Sequence, residues 1–343
     1  MILQEILEKF QDVKIENVYL YFITRALKKD VRSKSSKVLD KFDFKVYQID
    51  VDDEVREHLH SLTIEQLNYI ISKKIGLHEY SVMRDGDEEI FTYQMVNKAS
   101  SFSDVVHNQL KSKVPKILSL VEIIEQEELW AYCVGFYNNG NEENKWIYTF
   151  RKILSSKVAI NEKDANKLSF TQKILRTVFN VKAQKLELIE GETVNLDKQV
   201  DCIYYGDIFY IAKVAQFEKI VGLEIEFKIQ AIDVVAQLKT TNMIEGLEII
   251  IQQIEKDPSI HKKLVRLSKI GNYSTLNTKA IKKMEKVAKE LGFKVKVKDG
   301  KLFIEDEDDI DLILKMLSDY YKEGKVSGKS YGTFLGKMLP VAG

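Results

Sequence analysis

The sequence is poor in residues that build covalent or metal-bound frameworks. Only two of its 343 residues are cysteine, Cys133 and Cys202, and no CxxC spacing occurs. Each cysteine lies in an apolar stretch typical of a β-strand, which predicts reduced, buried thiols and argues against a disulfide or a zinc site. The five histidines are scattered without the spacing of metal ligands. We therefore expect no metal and no cofactor.

Long apolar runs and linker sequences are also absent. No stretch is long and apolar enough to cross a membrane, and no signal-peptide pattern occurs. We therefore expect a cytoplasmic protein that does not cross a membrane itself. The chain has only three prolines and no Ser/Gly-rich tract. Its length predicts two domains, residues 1–160 and 161–343. Because no linker sequence occurs, we expect the two domains to abut closely.

The order of the predicted elements indicates an α+β fold, because strands follow one another directly and helices come after them. We expect an N-terminal domain of mixed sheet and helices, then a strand hairpin and a helical C-terminal domain with a winged-helix-like basic unit. Strands are predicted at 17–25, 42–50, 80–84, 88–95, 129–137, 145–153, 185–190, 200–205 and 208–213. Helices are predicted at 1–10, 52–60, 63–73, 215–239 and 242–256. The capping pattern Thr63-Ile64-Glu65-Gln66 is expected to open the helix at 63–73.

Catalytic motifs are scarce. Residues 324–330 (GKVSGKS) resemble a phosphate loop, but they have three residues between the glycines where that motif needs four. The acidic run 305–309 could bind a divalent cation, but we expect it to cap a helix that starts near Ile310, where the helix dipole favours negative charge.

One set of residues has the spacing of a metal-dependent nuclease core. Asp207 is followed by Glu226-Phe227-Lys228. That chemistry needs Glu226 and Lys228 on a strand, where residues two apart share a face. The apolar residues around them have helical spacing, which would scatter the two side chains. A nuclease is therefore the alternative function and not the leading one.

Charge is distributed unevenly, although the formal net charge is zero. Residues 261–300 hold twelve Lys or Arg against three acidic side chains, so the remaining residues carry forty basic and forty-nine acidic ones. Such asymmetry suggests an anionic partner for this segment. From Asn277 to Leu291 the helical period places five lysines within about 120° of one face. They are Lys279, Lys282, Lys283, Lys286 and Lys289.

A basic hairpin is predicted after this helix. Phe293, Val295 and Val297 alternate with Lys294, Lys296 and Lys298, as in a half-buried strand. Asp299-Gly300 favours a type I′ turn, and residues 301–304 form the return strand. We expect Leu302 and Ile304 on the apolar face, with Lys301 and Phe303 on the basic one.

The helix before it is also basic. Between Pro258 and Gly271 lie four further cationic residues, Lys262, Lys263, Arg266 and Lys269. Helix, turn, helix and hairpin in succession resemble a helix-turn-helix with a wing, spanning the basic segment 261–304. Taken alone, the lysines of 277–291 could be a solvated surface. Together the three elements favour duplex DNA as the partner.

A family resemblance is carried by two neighbouring stretches, residues 197–213 (DKQVDCIYYGDIFYIAK) and residues 216–220 (QFEKI). This stretch resembles the signature of the KwaB-like proteins of the Kiwa anti-phage defence system, a family first catalogued as a domain of unknown function. Other stretches agree in order, including 17–25, 44–57 and 312–331. Ala212-Lys213 stands where Asn-Lys is commoner. The shared motifs are structural, so no catalytic residue is carried over.

The resemblance implies a bacterial defence effector that binds phage DNA and acts with a KwaA-like membrane protein at the inner face of the cell membrane. The resulting hypothesis is a non-enzymatic, sequence-independent DNA-binding protein. Sequence independence is expected because eleven of the twelve basic residues in 261–300 are lysine, whereas guanine readout favours arginine. We also expect a homo-oligomer, with a dimer favoured. The alternatives are a metal-dependent nuclease or other nucleic-acid-processing enzyme, and an assembly protein whose basic face docks an acidic protein.

Overall fold

The computed structural model describes residues 2–27, 42–73, 76–83, 89–95, 101–112, 114–116, 128–139, 145–153, 177–180, 185–188, 196, 199–270, 273, 276–323 and 330–332. The chain divides into two compact units. Unit 1 comprises Met1–Leu77 and Glu88–Ile220, and unit 2 comprises His78–Asp87 and Val221–Gly343. The domain boundary predicted at 160/161 lies outside the described residues and stays a prediction.

Unit 1 is built on a sheet in the order β2-β1-β5-β6-β9-β10-β4, with β3 following at the edge. In this order, each pair of neighbouring strands from β2 through to β4 is antiparallel. The strands are β1 Val18–Leu27, β2 Phe42–Ile49, β3 Gly76–Glu79, β4 Glu89–Gln94, β5 Glu128–Tyr137, β6 Trp146–Lys152, β7 Thr177–Asn180, β8 Lys185–Leu188, β9 Cys202–Tyr205 and β10 Ile208–Ile211. Strands β7 and β8 form a separate pair. The strand predicted at 80–84 is wrong, because the extended residues there are 76–79.

Helices lie on both faces of this sheet. On one face are α1 Ile2–Gln11 and α2 Asp53–Lys73. On the other face, α3 Ser101–Asp104 runs into a π-helical turn, Val105–Gln109, and Phe102 packs against Phe150. The two helices predicted at 52–60 and 63–73 are one helix, α2. The Thr63 hydroxyl does not cap a new helix, because it donates back to the Leu59 carbonyl oxygen at 2.8 Å.

The core of unit 1 packs α1 and α2 against the sheet, with Ile6, Phe10, Leu67, Phe136 and Ile147 among its buried residues. The two cysteines are free and buried, as predicted. Burial raises the pKa of both thiols.

Unit 2 is mainly helical. Its helices are α5 Leu223–Thr240, α6 Leu247–Lys256, α7 Pro258–Ile270, α8 Thr278–Glu290 and α9 Glu307–Leu317, and α4 Val214–Val221 precedes them. Its strands are β11 Ile244–Glu245, β12 Val297–Lys298, β13 Lys301–Phe303, β14 Tyr321–Glu323 and β15 Ser330–Gly332. Strands β11, β13 and β12 form a small sheet in that order, with β11 parallel to β13. The α+β class is confirmed, whereas the winged-helix arrangement stays a prediction.

Two helix predictions in this region need correction. The helix expected at 215–239 is broken into α4 and α5 at Gly222, whose φ of 79° is incompatible with a continuous helix. The helix expected at 242–256 begins only at Leu247, because Ile244 and Glu245 pair with β13.

Gly246, at this junction, combines a φ of 82° with close packing, since a Cβ built on it would overlap the carbonyl oxygen of Ile304. Gly292 has a similar φ of 77° but nothing within 4 Å of the added atom. We expect Gly292→Ala to cost about 1–2 kcal/mol from φ alone. Gly246→Ala adds the overlap, for a total of about 2–5 kcal/mol. Hydrogen exchange of α5–α9 measures both losses, and equal losses would contradict the packing argument.

Candidate nucleic-acid interface

The central element is α8, which forms as predicted. Asn277 precedes it, and its side-chain oxygen accepts the Ala280 N–H at 3.0 Å, which makes it the N-cap. After Leu291 the chain turns at Gly292, and the Phe293 N–H donates to the Ala288 carbonyl oxygen at 2.8 Å. These local hydrogen bonds fix both ends of the helix.

The two faces of α8 differ as the helical period predicts. Ile281 and Ala288 are buried, and Met284 packs half-buried against the core of unit 2. The opposite side is exposed and carries five lysines, which we call the α8 lysine face: Lys279, Lys282, Lys283, Lys286 and Lys289.

One carboxylate lies close to this face. The Glu290 side chain is 3.8 Å from the Lys286 ammonium, and both side chains are largely exposed. Such a surface pair contributes about 0–1 kcal/mol and does not hold the lysine in place. Among the described residues, the other four lysines of the face have no ion-pair partner.

The preceding helix, α7, forms as predicted, but fewer of its basic side chains are exposed than expected. Arg266 is buried, at 6% exposure, and its Nε donates to the Val82 carbonyl oxygen at 2.8 Å. Lys263 is bound to Asp311, with Nζ 2.6 Å from Oδ1. Lys262 is half-buried and has a contact of its own, whereas Lys269 is exposed. Arg266 and Lys263 are therefore engaged within unit 2, and the predicted role of the four α7 residues in DNA contact stays a prediction.

The hairpin turn is confirmed in its geometry. Asp299 and Gly300 have φ values of 51° and 74°, which define a type I′ turn, and Lys298 pairs with Lys301. The strands are shorter than predicted, since only 297–298 and 301–303 are extended partners.

The predicted face assignment of the hairpin holds in part. Leu302 and Ile304 are buried as expected. Phe293 was expected on the same face, but it is 45% exposed and its ring packs against Tyr321 at 5.5 Å. It directly follows the turn at Gly292 and lies before the strand, so the alternation does not extend to it. Lys294 and Lys298 are exposed.

The Lys296 ammonium forms ion pairs with the acidic run 305–309. Its ammonium lies 2.9, 3.1 and 3.0 Å from carboxylate oxygens of Asp309, Asp306 and Glu305. Hydrogen bonding to Asp309, and then to the other two carboxylates, raises the pKa of Lys296. Three carboxylates around one ammonium leave no net positive charge for a phosphate. Lys296 is therefore a poor candidate for DNA contact.

The acidic run caps α9 as predicted. The Asp306 side chain accepts the Asp309 N–H, and the Asp309 side chain accepts the Asp306 N–H, which completes a capping box. Within the described part of the chain, no cluster of His, Cys, Asp or Glu is arranged to hold a metal ion.

The structure thus sorts the twelve predicted basic residues. Arg266 is buried, and Lys262, Lys263 and Lys296 are half-buried and engaged. Eight are exposed: Lys269, Lys279, Lys282, Lys283, Lys286, Lys289, Lys294 and Lys298. Five of these eight form the α8 lysine face.

The residues weighed as a nuclease core do not have the required arrangement. Glu226 and Lys228 lie on helix α5, where residues two apart point to different sides. Lys228 is bound to Glu255, with Nζ 2.6 Å from the carboxylate. Asp207 belongs to unit 1, in the turn between β9 and β10.

A polar cluster around Asp207 was missed at the level of sequence. The Tyr204 hydroxyl donates to Asp207 at 2.8 Å and lies 3.4 Å from His107 Nδ1, and the Lys111 ammonium is 3.4 Å from Asp207. The bond from Tyr204 lowers the pKa of Asp207, and burial raises the pKa of Tyr204. His107 and Lys111 are about a hundred residues away along the chain, so spacing gives no signal for this cluster.

A cavity of about 640 Å³ lies in unit 1 between α2, β5 and β6, with His58, Thr149 and Arg151 among its polar walls. An Arg guanidinium is the usual group for an anionic ligand. Here the guanidinium is bound to Asp201, with Nη1 2.7 Å from the carboxylate. The cavity therefore indicates no particular ligand.

Comparison with known proteins gives one match. The family model described as Kiwa protein KwaB-like matches residues 126–326, more than half of the chain. No curated protein and no solved structure matches significantly. No helix in the described part of the chain is long and apolar enough to span a membrane.

Proposed function

The chain belongs to the KwaB-like family of Kiwa anti-phage defence proteins, and on this basis we propose that it is a sequence-independent DNA-binding effector. The observation that carries the proposal is the α8 lysine face, where four exposed ammonium groups have no partner among the described residues. The excess of basic over acidic residues in 261–300 also supports binding to DNA.

The dimensions of the face fit a duplex. Lys279 and Lys289 are ten residues apart, which spans about 15 Å of helix. Duplex DNA of that length carries about nine phosphate charges. Five ammonium groups can therefore each find a phosphate without a fixed register, which is a requirement for binding that ignores sequence.

The lack of sequence readout has a structural argument as well. Guanine is read most often by an exposed, bidentate arginine. The only arginine of the basic segment, Arg266, is buried and bonded to Val82. Lysines bind phosphate as point charges. Binding by this surface would therefore be electrostatic and would release counterions from DNA.

We propose further that the protein works as a homo-oligomer, with a dimer favoured, and is recruited to the inner face of the cell membrane by a KwaA-like membrane protein. Family membership supports this part of the proposal. The chain expressed alone should stay out of the membrane fraction and move into it when its partner is co-expressed. Membrane association of the chain alone would contradict recruitment.

A gel-shift assay with and without Mg²⁺ tests the proposed function. We expect equal shifts of two duplexes with unrelated sequences, loss of the shift at moderate salt, and intact DNA in the presence of Mg²⁺. Cleavage that depends on Mg²⁺ would establish the nuclease alternative. The absence of any shift at low salt would favour an assembly protein that binds an acidic partner.

A further inference from the structure

One end of a sheet face in unit 1 carries three half-buried aromatic side chains, which we call the aromatic patch: Tyr19 on β1, Tyr137 on β5 and Trp146 on β6. Tyr137 is paired directly with Trp146, and Tyr19 with Gly135. The ring centroids of Tyr19 and Tyr137 lie 5.5 and 4.9 Å from that of Trp146. Three neighbouring strands therefore contribute to one aromatic surface.

The Trp146 ring is supported by a neighbour on the same strand and the same sheet face, and the rings of Tyr19 and Tyr137 are inclined to it by 53° and 50°. Trp146 stacks on Tyr148, with centroids 5.5 Å apart and the rings 4° from parallel. Tyr148 is buried, and its hydroxyl donates to the Leu110 carbonyl oxygen at 3.0 Å. A Cβ on Gly135 would lie 2.9 Å from the Tyr21 ring and 3.1 Å from that of Tyr148. The glycine therefore leaves the space that these supporting rings occupy.

The polar atoms of the aromatic patch differ from those of buried aromatic residues. Trp130 and Tyr148 each bond a backbone carbonyl oxygen, as interior Trp and Tyr side chains usually do. Within the described part of the chain, the indole N–H of Trp146 and the hydroxyls of Tyr19 and Tyr137 have no such partner. None of the three atoms is among the buried unpaired groups. Among the described residues, nothing therefore competes with an outside ligand for these three atoms.

One exposed cationic group flanks the patch, since Lys145 directly precedes Trp146. Lys111 is not counted with it, because its ammonium is paired with Asp207 at 3.4 Å.

We propose that the aromatic patch stacks unpaired nucleobases, so that unit 1 binds single-stranded nucleic acid. Flat rings with free donor atoms at their edges suit a planar base, whose edge offers acceptors. The flanking Lys145 suits a phosphate of the same strand. An aliphatic protein or lipid surface would leave those donor atoms unpaired. This site is separate from the α8 lysine face and goes beyond the proposed duplex binding.

The test uses the intrinsic fluorescence of Trp146 in the full chain. The chain has only two tryptophans, and the other, Trp130, is buried with the Arg25 guanidinium 3.3 Å from its ring centroid. We expect oligo(dT) to quench the emission in a saturable way and an abasic oligonucleotide of the same length to leave it unchanged. Trp146→Phe should abolish the quenching and keep most of the affinity, since a phenyl ring still stacks.

The affinity for labelled oligo(dT) is a second test of base stacking. Stacking on an aromatic side chain contributes roughly 5- to 150-fold per base. Tyr19→Ala, or Trp146→Ala, should weaken binding of labelled oligo(dT) by a factor in that range and leave binding of the abasic oligonucleotide unchanged. Tyr69→Ala is the matched control, because Tyr69 is 59% exposed on α2, away from the patch. It should have no effect.

The outcomes separate the two proposals. Equal quenching by oligo(dT) and the abasic oligonucleotide, or unchanged oligo(dT) affinity in the folded Tyr19→Ala and Trp146→Ala variants, would overturn the base-stacking site. Neither result would affect duplex binding by the α8 lysine face. If the duplex gel shift fails, quenching by oligo(dT) should persist. Unfolding curves establish that each variant is folded.

Discussion

Replacing Lys282, Lys283 and Lys286 together with alanine should weaken duplex binding by roughly 10²–10³ at about 0.1 M salt. Each lysine that neutralises a phosphate releases condensed counterions, so its contribution grows as the salt concentration falls. The plot of log affinity against log salt should flatten by roughly two to three units, since each contact adds about 0.9. Both effects should be equal on unrelated duplexes.

The triple variant should keep its fold. All three side chains are exposed, and Lys286 is 78% exposed even with Glu290 nearby. Surface substitutions of this kind usually change stability by about 0.5 kcal/mol or less each. By contrast, Met284→Asp would place a charge against the core of unit 2 and should unfold the unit.

A matched control separates local contacts from overall charge. Lys219, Lys239 and Lys256 are exposed on α4, α5 and α6. Replacing these three with alanine removes the same charge, and it should leave affinity and salt slope nearly unchanged. If the two triple variants behave alike, the α8 lysine face is only a solvated surface and any DNA surface lies elsewhere.

Local signals in the sequence predicted helix α8 and the hairpin turn well. Helix α8 has an N-cap at Asn277 and a left-handed stop at Gly292, and the hairpin has an Asp-Gly turn. Each of these features depends on residues within a few positions of one another. Burial of Ile281 and exposure of Lys282 then follow from the helical period.

What sequence could not predict depends on packing between distant residues. Arg266 is lost from the interface because Val82, far away in the chain, accepts its hydrogen bond. Lys296 is lost because the capping box of α9 places three carboxylates around its ammonium. The aromatic patch combines three strands, and strand order is not readable from the alternation within each. Counting lysines therefore overestimated the surface available for DNA.

Replacing Asp201 with alanine should destabilise unit 1 by about 3–5 kcal/mol, because it removes one member of the buried ion pair between Asp201 and Arg151. Asp201 is fully buried, and Arg151 is 8% exposed. One carboxylate oxygen accepts from Arg151 Nη1 at 2.7 Å, and the other accepts the Lys152 N–H at 2.8 Å. The substitution therefore also orphans a backbone donor of β6.

The backbone of Asp201 links three strands of the sheet. Its N–H donates to the Phe150 carbonyl oxygen, and its own carbonyl oxygen accepts the N–H groups of Ala212 and Lys213. The effect should therefore reach β6, β9 and β10 together. Urea unfolding followed by tryptophan fluorescence measures it, since both tryptophans lie in unit 1.

The double substitution Arg151→Met with Asp201→Leu decides how the loss arises. Replacing both members of a buried ion pair with apolar side chains of similar volume is often neutral or stabilising. The double variant should therefore recover much of the stability that Asp201→Ala loses. If it is as unstable as the single variant, the loss comes from the unpaired Lys152 N–H and the local backbone. A loss below about 1 kcal/mol in Asp201→Ala itself would show that water or another group compensates Arg151, because an uncompensated buried charge costs more than that.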